Sequence, residues 1–143
     1  MLKTFILFFF TPLSLLAQWT QVSSLPSTFQ SDHSFGFSIN NTGYLVTGNI
    51  LGQDGLPVSV DDFYSYSPDN DTWTQLDDFP GGRRGFAIGD VYDDKAYFGF
   101  GLGINETTGF EEYRNDLWVF DPTTSNWTEL ASCPCFARTH PAF

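Results

Sequence analysis

Apolar and polar positions alternate in short runs along this chain, separated by turn-forming residues, and no stretch after the first 17 residues carries a helical period. The runs predict strands at residues 35–39, 44–47, 63–66 and 73–76, and a second set at 86–89, 96–100, 117–120 and 127–130. Asn41-Thr42-Gly43 and Asp93-Asp94 fall between the first and second strands of each set. Ser67-Pro68-Asp69-Asn70-Asp71 and Asp121-Pro122-Thr123-Thr124 fall between the third and fourth. These residue types make turns for distinct reasons: Gly and Asn tolerate positive φ, Pro presets its own φ, and Asp or Asn side chains bond the backbone just beyond them.

The two sets are copies of one unit. Trp19-Thr20-Gln21-Val22-Ser23-Ser24-Leu25-Pro26 recurs as Trp73-Thr74-Gln75-Leu76-Asp77-Asp78-Phe79-Pro80, and again as Trp127-Thr128-Glu129-Leu130-Ala131-Ser132-Cys133-Pro134; both intervals are 54 positions. Upstream, Asp62-Phe63-Tyr64-Ser65-Tyr66-Ser67-Pro68 aligns without a gap on Asp116-Leu117-Trp118-Val119-Phe120-Asp121-Pro122. A four-stranded unit recurring at about 50 residues is the signature of a propeller blade. Because Tyr64, Trp73, Trp118 and Trp127, with Trp19, recur at fixed offsets, each is expected to hold the same structural place in its unit, in the core.

An apolar first strand, a glycine-bearing second strand (Tyr97-Phe98-Gly99-Phe100-Gly101-Leu102-Gly103), an aromatic third strand running into Asp-Pro (Asp116 to Pro122) and a Trp several residues later (Trp127) resemble a kelch repeat. The second-strand glycines are spaced Gly-x-Gly instead of as the family's doublet, and the first unit keeps only Gly43 and Gly48. The resemblance implies an all-β fold, a kelch-type β-propeller of four-stranded antiparallel blades. Residues 1–17 then form a signal peptide, 18–34 an orphan outer strand and linker, 35–80 blade 1, 81–134 blade 2, and 135–143 the start of a further blade, with Arg138 aligned on Arg84. Closed propellers carry four to eight blades. Two units are therefore expected to be an incomplete ring, the orphan strand completing the last blade, with missing blades or self-association covering its edges.

Lys3 followed by the apolar run to Leu16 and a small Ala17 has the form of a secretory signal, too short and too interrupted to span a bilayer. The expected location is secreted or extracytoplasmic, at the periplasm or cell surface. The formal charge is −11, from 17 acids against six scattered cations, which argues against nucleic acid and, after signal cleavage, against a membrane surface as partner. Cys133 and Cys135, the only cysteines, flank Pro134, at the limit of what a disulfide spans in an extended segment.

In an up-and-down blade the loop between strands two and three emerges on the same face as the connection to the next blade. That face carries the segments 49–61 and 102–115 and the connectors holding Arg83, Arg84 and Arg138. Its ligand-binding candidates are Gln53, Asp54, Arg84, Glu106, Glu111, Glu112, Arg114 and Arg138. For Arg84 and Arg138 a structural role between blades, bonding backbone carbonyls, stands beside ligand contact. Asp69-Asn70-Asp71 and Asp61-Asp62 read as turn and surface acids and not as a calcium site; no metal or cofactor is expected.

The first functional expectation is a scaffold that binds protein or glycan through one propeller face, more plausibly without enzymatic activity. The alternative is part of a carbohydrate-active propeller enzyme whose site lies in missing blades, since kelch propellers also resemble domains of galactose-oxidising copper enzymes and of sialic-acid epimerases. A copper centre needs converging Tyr, His and Cys, whereas His33 and His140 read as unmatched between the units and the cysteines share one short segment. An epimerase needs a positioned acid and base, and no such pair stands out among the loop acids.

Overall fold

A computed structural model describes residues 19–141; the signal-type leader and the last two residues lie outside the described residues. All its regular elements are strands. In the first unit β1 (Ser31–Asp32) and β2 (Phe35–Ile39) both pair with β3 (Thr42–Leu51), which pairs on its other side with β4 (Pro57–Ser67), and β4 with β5 (Thr72–Gln75). The second unit has the same course: β6 (Arg84–Gly85) and β7 (Ile88–Tyr92) form its first strand, β8 (Lys95–Gly99) and β9 (Leu102–Ile104) its second, β10 (Glu111–Tyr113) and β11 (Leu117–Asp121) its third, and β12 (Asn126–Leu130) its fourth. All pairings are antiparallel.

Backbone conformation repeats along with sequence. The first hairpin turns on Asn40-Asn41 (φ 48° and 61°) and its counterpart on Asp93-Asp94 (51° and 55°), both positive, as the tight turn matching strand twist requires. Thr42 and Gly43, expected in that turn, already belong to β3. Thr47-Gly48 and Phe100-Gly101 also take positive φ, and there the second strand breaks. In unit one the break is a register shift between Val46 and Gly48; in unit two it divides the ladder into β6-β9-β10 and β7-β8-β11-β12.

The segments 49–61 and 102–115, expected as long loops, are mostly ladder. Asn49↔Ser59, Ile50↔Val58 and Leu51↔Pro57 continue the β3–β4 pairing, and Pro57 is tolerated because it is the first residue of its strand. Outside strands they leave the tips 52–56 and 105–110 and the pair Arg114-Asn115.

Between the units lies an aromatic core. Phe63 and the half-buried Phe37 and Tyr44 of unit one face Phe98, Phe120 and Trp127 of unit two, with Phe79 of the connector between them. Trp127 touches Phe63, Phe79, Phe98 and Phe120 at ring separations of 5.0–5.8 Å, edge to face with Phe63 and Phe79, a favoured geometry for aromatic pairs, and tilted against Phe98 and Phe120. Trp118 packs on Phe79, 5.3 Å away. Tyr64 and Trp73 lie on the far side of unit one, where Phe29 stacks 4.8 Å from Tyr64 and Trp73 donates from Nε1 to the Ser23 carbonyl.

The expected orphan strand therefore takes another form. Residues 19–30 make no ladder; they lie along the outer flank of unit one, bury Phe29 and leave Trp19 99% exposed. Among the described residues no third strand stands beside Trp19 and no side chain covers its ring, so it is exposed where a core place was expected.

Arg84 is wholly buried. Its NH1 and NH2 reach the two Asp116 carboxylate oxygens at 2.7 and 2.8 Å, NH1 also donates to Phe100 O (3.1 Å), and NH2 donates to Gly81 O. The guanidinium lies 5.0 Å from the Phe79 ring centroid. Of the two roles open for this arginine, the structure shows carbonyl bonding within a unit; enclosed on all sides, it has no surface to offer a ligand. Burial alone would raise the Asp116 carboxyl, but the bonds and charge of Arg84 and a bond from Trp118 Nε1 (2.8 Å) outweigh it and hold the group below its ordinary value.

Truncating Phe120 to Ala is expected to cost about 3–5 kcal/mol, read by denaturant unfolding, because its contacts span both units. Arg84→Met strands the Asp116 carboxylate in a mostly buried place and is expected to cost a similar about 3–5 kcal/mol. Since the folded Asp116 value is depressed, the pair's contribution is complete above about pH 4 and drains away as pH falls through the lowered value. A plot of melting temperature against pH should accordingly be flatter below about pH 4 for Asp116→Asn than for the unaltered protein.

Candidate ligand cleft on the loop face

Three residues meet side by side, one between β1 and β2, one between β6 and β7 and one beyond β12. His33, Phe86 and His140 have φ of 52°, 60° and 43°. Phe86 N donates to His33 O and His140 N to Phe86 O, so the backbones climb from one unit to the next. The rings follow: His33 to Phe86 is 3.9 Å between centroids, Phe86 to His140 5.1 Å and His33 to His140 6.0 Å. The two histidines are therefore matched, at intervals of 53 and 54 positions through Phe86, which corrects the expectation that they stand at unrelated places. Extending the Arg84/Arg138 alignment by two residues exposes the match. The first unit concealed it, because it is one residue shorter here and has Ser31 in place of arginine. Phe86, expected within a strand, is instead the left-handed residue between β6 and β7.

Beside this aromatic row a cleft of about 300 Å³ opens between the units, on the side of the 52–56 and 105–110 tips. His33, Phe86, Asn49, Ser59, Asp32 and Glu111 are among the residues that line it. Asp32 Oδ1 lies 2.9 Å from His33 Nδ1, and Ser59 Oγ donates to Asn49 Oδ1 at 2.9 Å. A side chain in place of Gly85 would strike Asn49, with a Cβ only 2.6 Å from the amide nitrogen and oxygen, so glycine admits that amide between the sheets. Of the eight ligand candidates only Glu111 lines this cleft.

The others disperse. Gln53 and Asp54 are exposed on the 52–56 tip, where Asp54 Oδ1 accepts the Leu56 amide and so shapes the turn. Glu106 takes a two-toothed pair of bonds from Arg83 (3.0 and 2.9 Å), which lowers its carboxyl from the usual range. Glu112 accepts from Asn105 and lies 3.4 Å from Arg114 NH1, while Arg114 NH2 donates to Ile104 O. Arg138 is exposed, with Nε on the Phe136 carbonyl, and its backbone bridges Arg114 O and Gly101 N. Among the charged candidates it is the arginine without a carboxylate partner among the described residues.

The connector before it is closed by a Cys133–Cys135 disulfide with Cα atoms 5.1 Å apart, and Asn115 Nδ2 donates to both cysteine carbonyls. The Asp69–Asp71 acids are used locally: Asp71 accepts from the Ser23 amide and Tyr66 hydroxyl. Among the described residues no three His, Cys, Asp or Glu side chains converge on a metal-sized site, and no helix is long and apolar enough to cross a membrane.

No protein-family model matches the chain. Over 60 residues it is 37% identical to the N-acetylneuraminate epimerase of Escherichia coli K12, and equally to that of Shigella sonnei strain Ss046; the match covers 42% of this chain and 16% of each relative. The solved structure of YjhT superposes with a TM-score of 0.71 at 20% identity, over 85% of this chain and 44% of that one. The chain thus matches less than half the length of the proteins it resembles. Two antiparallel four-stranded units, packed face to face with their first strands linked in a rising series, together with that superposition, make the chain a β-propeller protein whose described residues hold two successive blades.

Proposed function

We propose that the protein is an exported kelch-type propeller acting on a sialic-acid-class sugar at its loop face, in the manner of the epimerases it partly resembles. The observation that carries this is the 60-residue match to N-acetylneuraminate epimerases. Inverting a stereocentre without net redox change requires a proton acceptor and a proton donor within reach of one ligand. Asp32, His33 and Glu111 line a single cleft and supply titratable groups for those roles. Arg138 offers a guanidinium to a carboxylate, whereas Arg83 and Arg114 are already engaged by Glu106 and Glu112. The copper-oxidase alternative loses support, since both cysteines are joined to each other. Export is supported by the leader-like residues 1–17 and by a disulfide, which persists in oxidising compartments.

A second reading, a scaffold that binds glycan or protein without chemistry, is favoured by the exposure of the Asp32–His33 pair, which leaves water free to compete there. The two are separated by proton NMR of N-acetylneuraminate with the protein. We expect epimer exchange to accelerate about a hundredfold or more over the uncatalysed rate, with His33→Asn removing most of the gain. Binding with no acceleration would favour the scaffold; neither binding nor acceleration would refute the sugar reading.

A further inference from the structure

We infer that the Cys133–Cys135 disulfide is a thiol–disulfide exchange site, a redox centre on the connector after β12 and not a fastening of the fold. The inference is independent of the sugar reading above.

The first support is what the bond does not join. A disulfide stabilises a fold mainly by restraining the unfolded chain, and the effect grows with the loop it closes. Here only Pro134 lies between the cysteines, and the bond ties no strand to another. The connector is placed instead by bonds that do not involve sulfur. Cys133 N donates to Asn115 O at 2.9 Å, and Asn115 Nδ2 donates to the carbonyls of Cys133 and Cys135 at 3.0 and 3.4 Å. These contacts do not depend on the S–S bond. The thiols of the reduced form therefore stay side by side, and closing the bond again needs no search by the chain.

The second support is access and polarity. Both cysteines are half-buried, while Pro134 between them and Phe136 beyond them are exposed, Phe136 to 88%. An incoming thiolate can approach without unfolding the blade. The two sulfurs are not equivalent. The Cys135 amide donates to Cys133 Sγ at 3.2 Å, and a hydrogen bond to a thiolate favours its charged form. The more stable thiolate is the faster leaving group. Attack therefore falls on Cys135 Sγ: the new S–S bond forms there, the bond to Cys133 breaks, and its electron pair leaves on Cys133 Sγ beneath the amide. A second thiolate of the same dithiol then attacks the substrate-side sulfur of the mixed disulfide and frees Cys135. The dithiol becomes a disulfide, and the protein takes up its two electrons and two protons. The exposed Phe136 ring gives a cysteine-bearing polypeptide an apolar surface to bury, so polypeptide thiols are the substrate class the site suits.

The experiment treats the folded protein with reduced glutathione and, separately, with a short peptide carrying two cysteines beside a tryptophan. Samples are quenched in acid, alkylated with N-ethylmaleimide and read by intact mass and fragment ions, and the melting temperature of the reduced form is measured. We expect opening by millimolar thiol without denaturant, through a transient glutathione adduct on Cys135 with maleimide on Cys133. The reduced protein should melt no more than about 8 °C below the oxidised one. Phe136→Ser should slow reduction by the peptide about fivefold and leave that by glutathione unchanged. A disulfide that resists both thiols until the protein is denatured overturns the exchange site, and so does loss of the fold on reduction. An adduct on Cys133 overturns the direction of attack. Equal rates for Phe136→Ser and the unaltered protein with the peptide overturn the polypeptide as substrate and leave the small thiol.

Discussion

The second blade depends on the burial of one guanidinium. Arg84 starts its first strand, and its donors hold the connector at Gly81, the end of the second strand at Phe100 and the entry to the third at Asp116. A full charge is tolerated in so enclosed a place only because a carboxylate takes it two-toothed and carbonyls take the remaining protons. The ladder breaks close to this point, at Phe100-Gly101, where strand bonding lapses and side-chain bonding replaces it. Phe79 links this pair to the rest of the molecule, since it touches Arg84, Phe98, Trp118 and Trp127 at once. The polar fastening of one blade and the apolar seam between two blades thus meet at a single ring.

The 54-position period made the architecture legible, because a repeat constrains strand number, turn placement and core membership together. It gave Trp118 and Trp127 one structural place in their unit from their offset alone. What it could not supply was conformation at positions where residue type varies between copies. Ser31, Arg84 and Arg138 share a place but not a chemistry, and the single-residue difference in unit length hid the relation of His33 to Phe86 and His140. Strand ends were misjudged for a related reason: Asn49, Pro57 and Ser59 carry loop-like composition, but the long β3–β4 ladder overrides their weak individual preferences.

The loop face was legible as a face, but which of its acids are already engaged was not. Acids counted along the sequence carry no record of which are occupied by a neighbour, so Glu106 and Glu112, engaged by Arg83 and Arg114, looked equal to Glu111. The distinction arises only in three dimensions, where Arg83 takes Glu106, Glu112 meets Asn105 and Arg114, and Arg114 also bonds the Ile104 carbonyl. Trp19 erred in the other direction. Its motif matched, yet a strand motif specifies pairing only where a partner strand exists to receive it.

The closed connector at Cys133 and Cys135 bears on how the segment after it is held. Beyond it, the Arg138 backbone is bonded to Arg114 and Gly101, and that of His140 to Phe86, so residues 138–140 are laid on the second unit. A segment docked through so short and closed a connector costs little loop-closure entropy to hold in place.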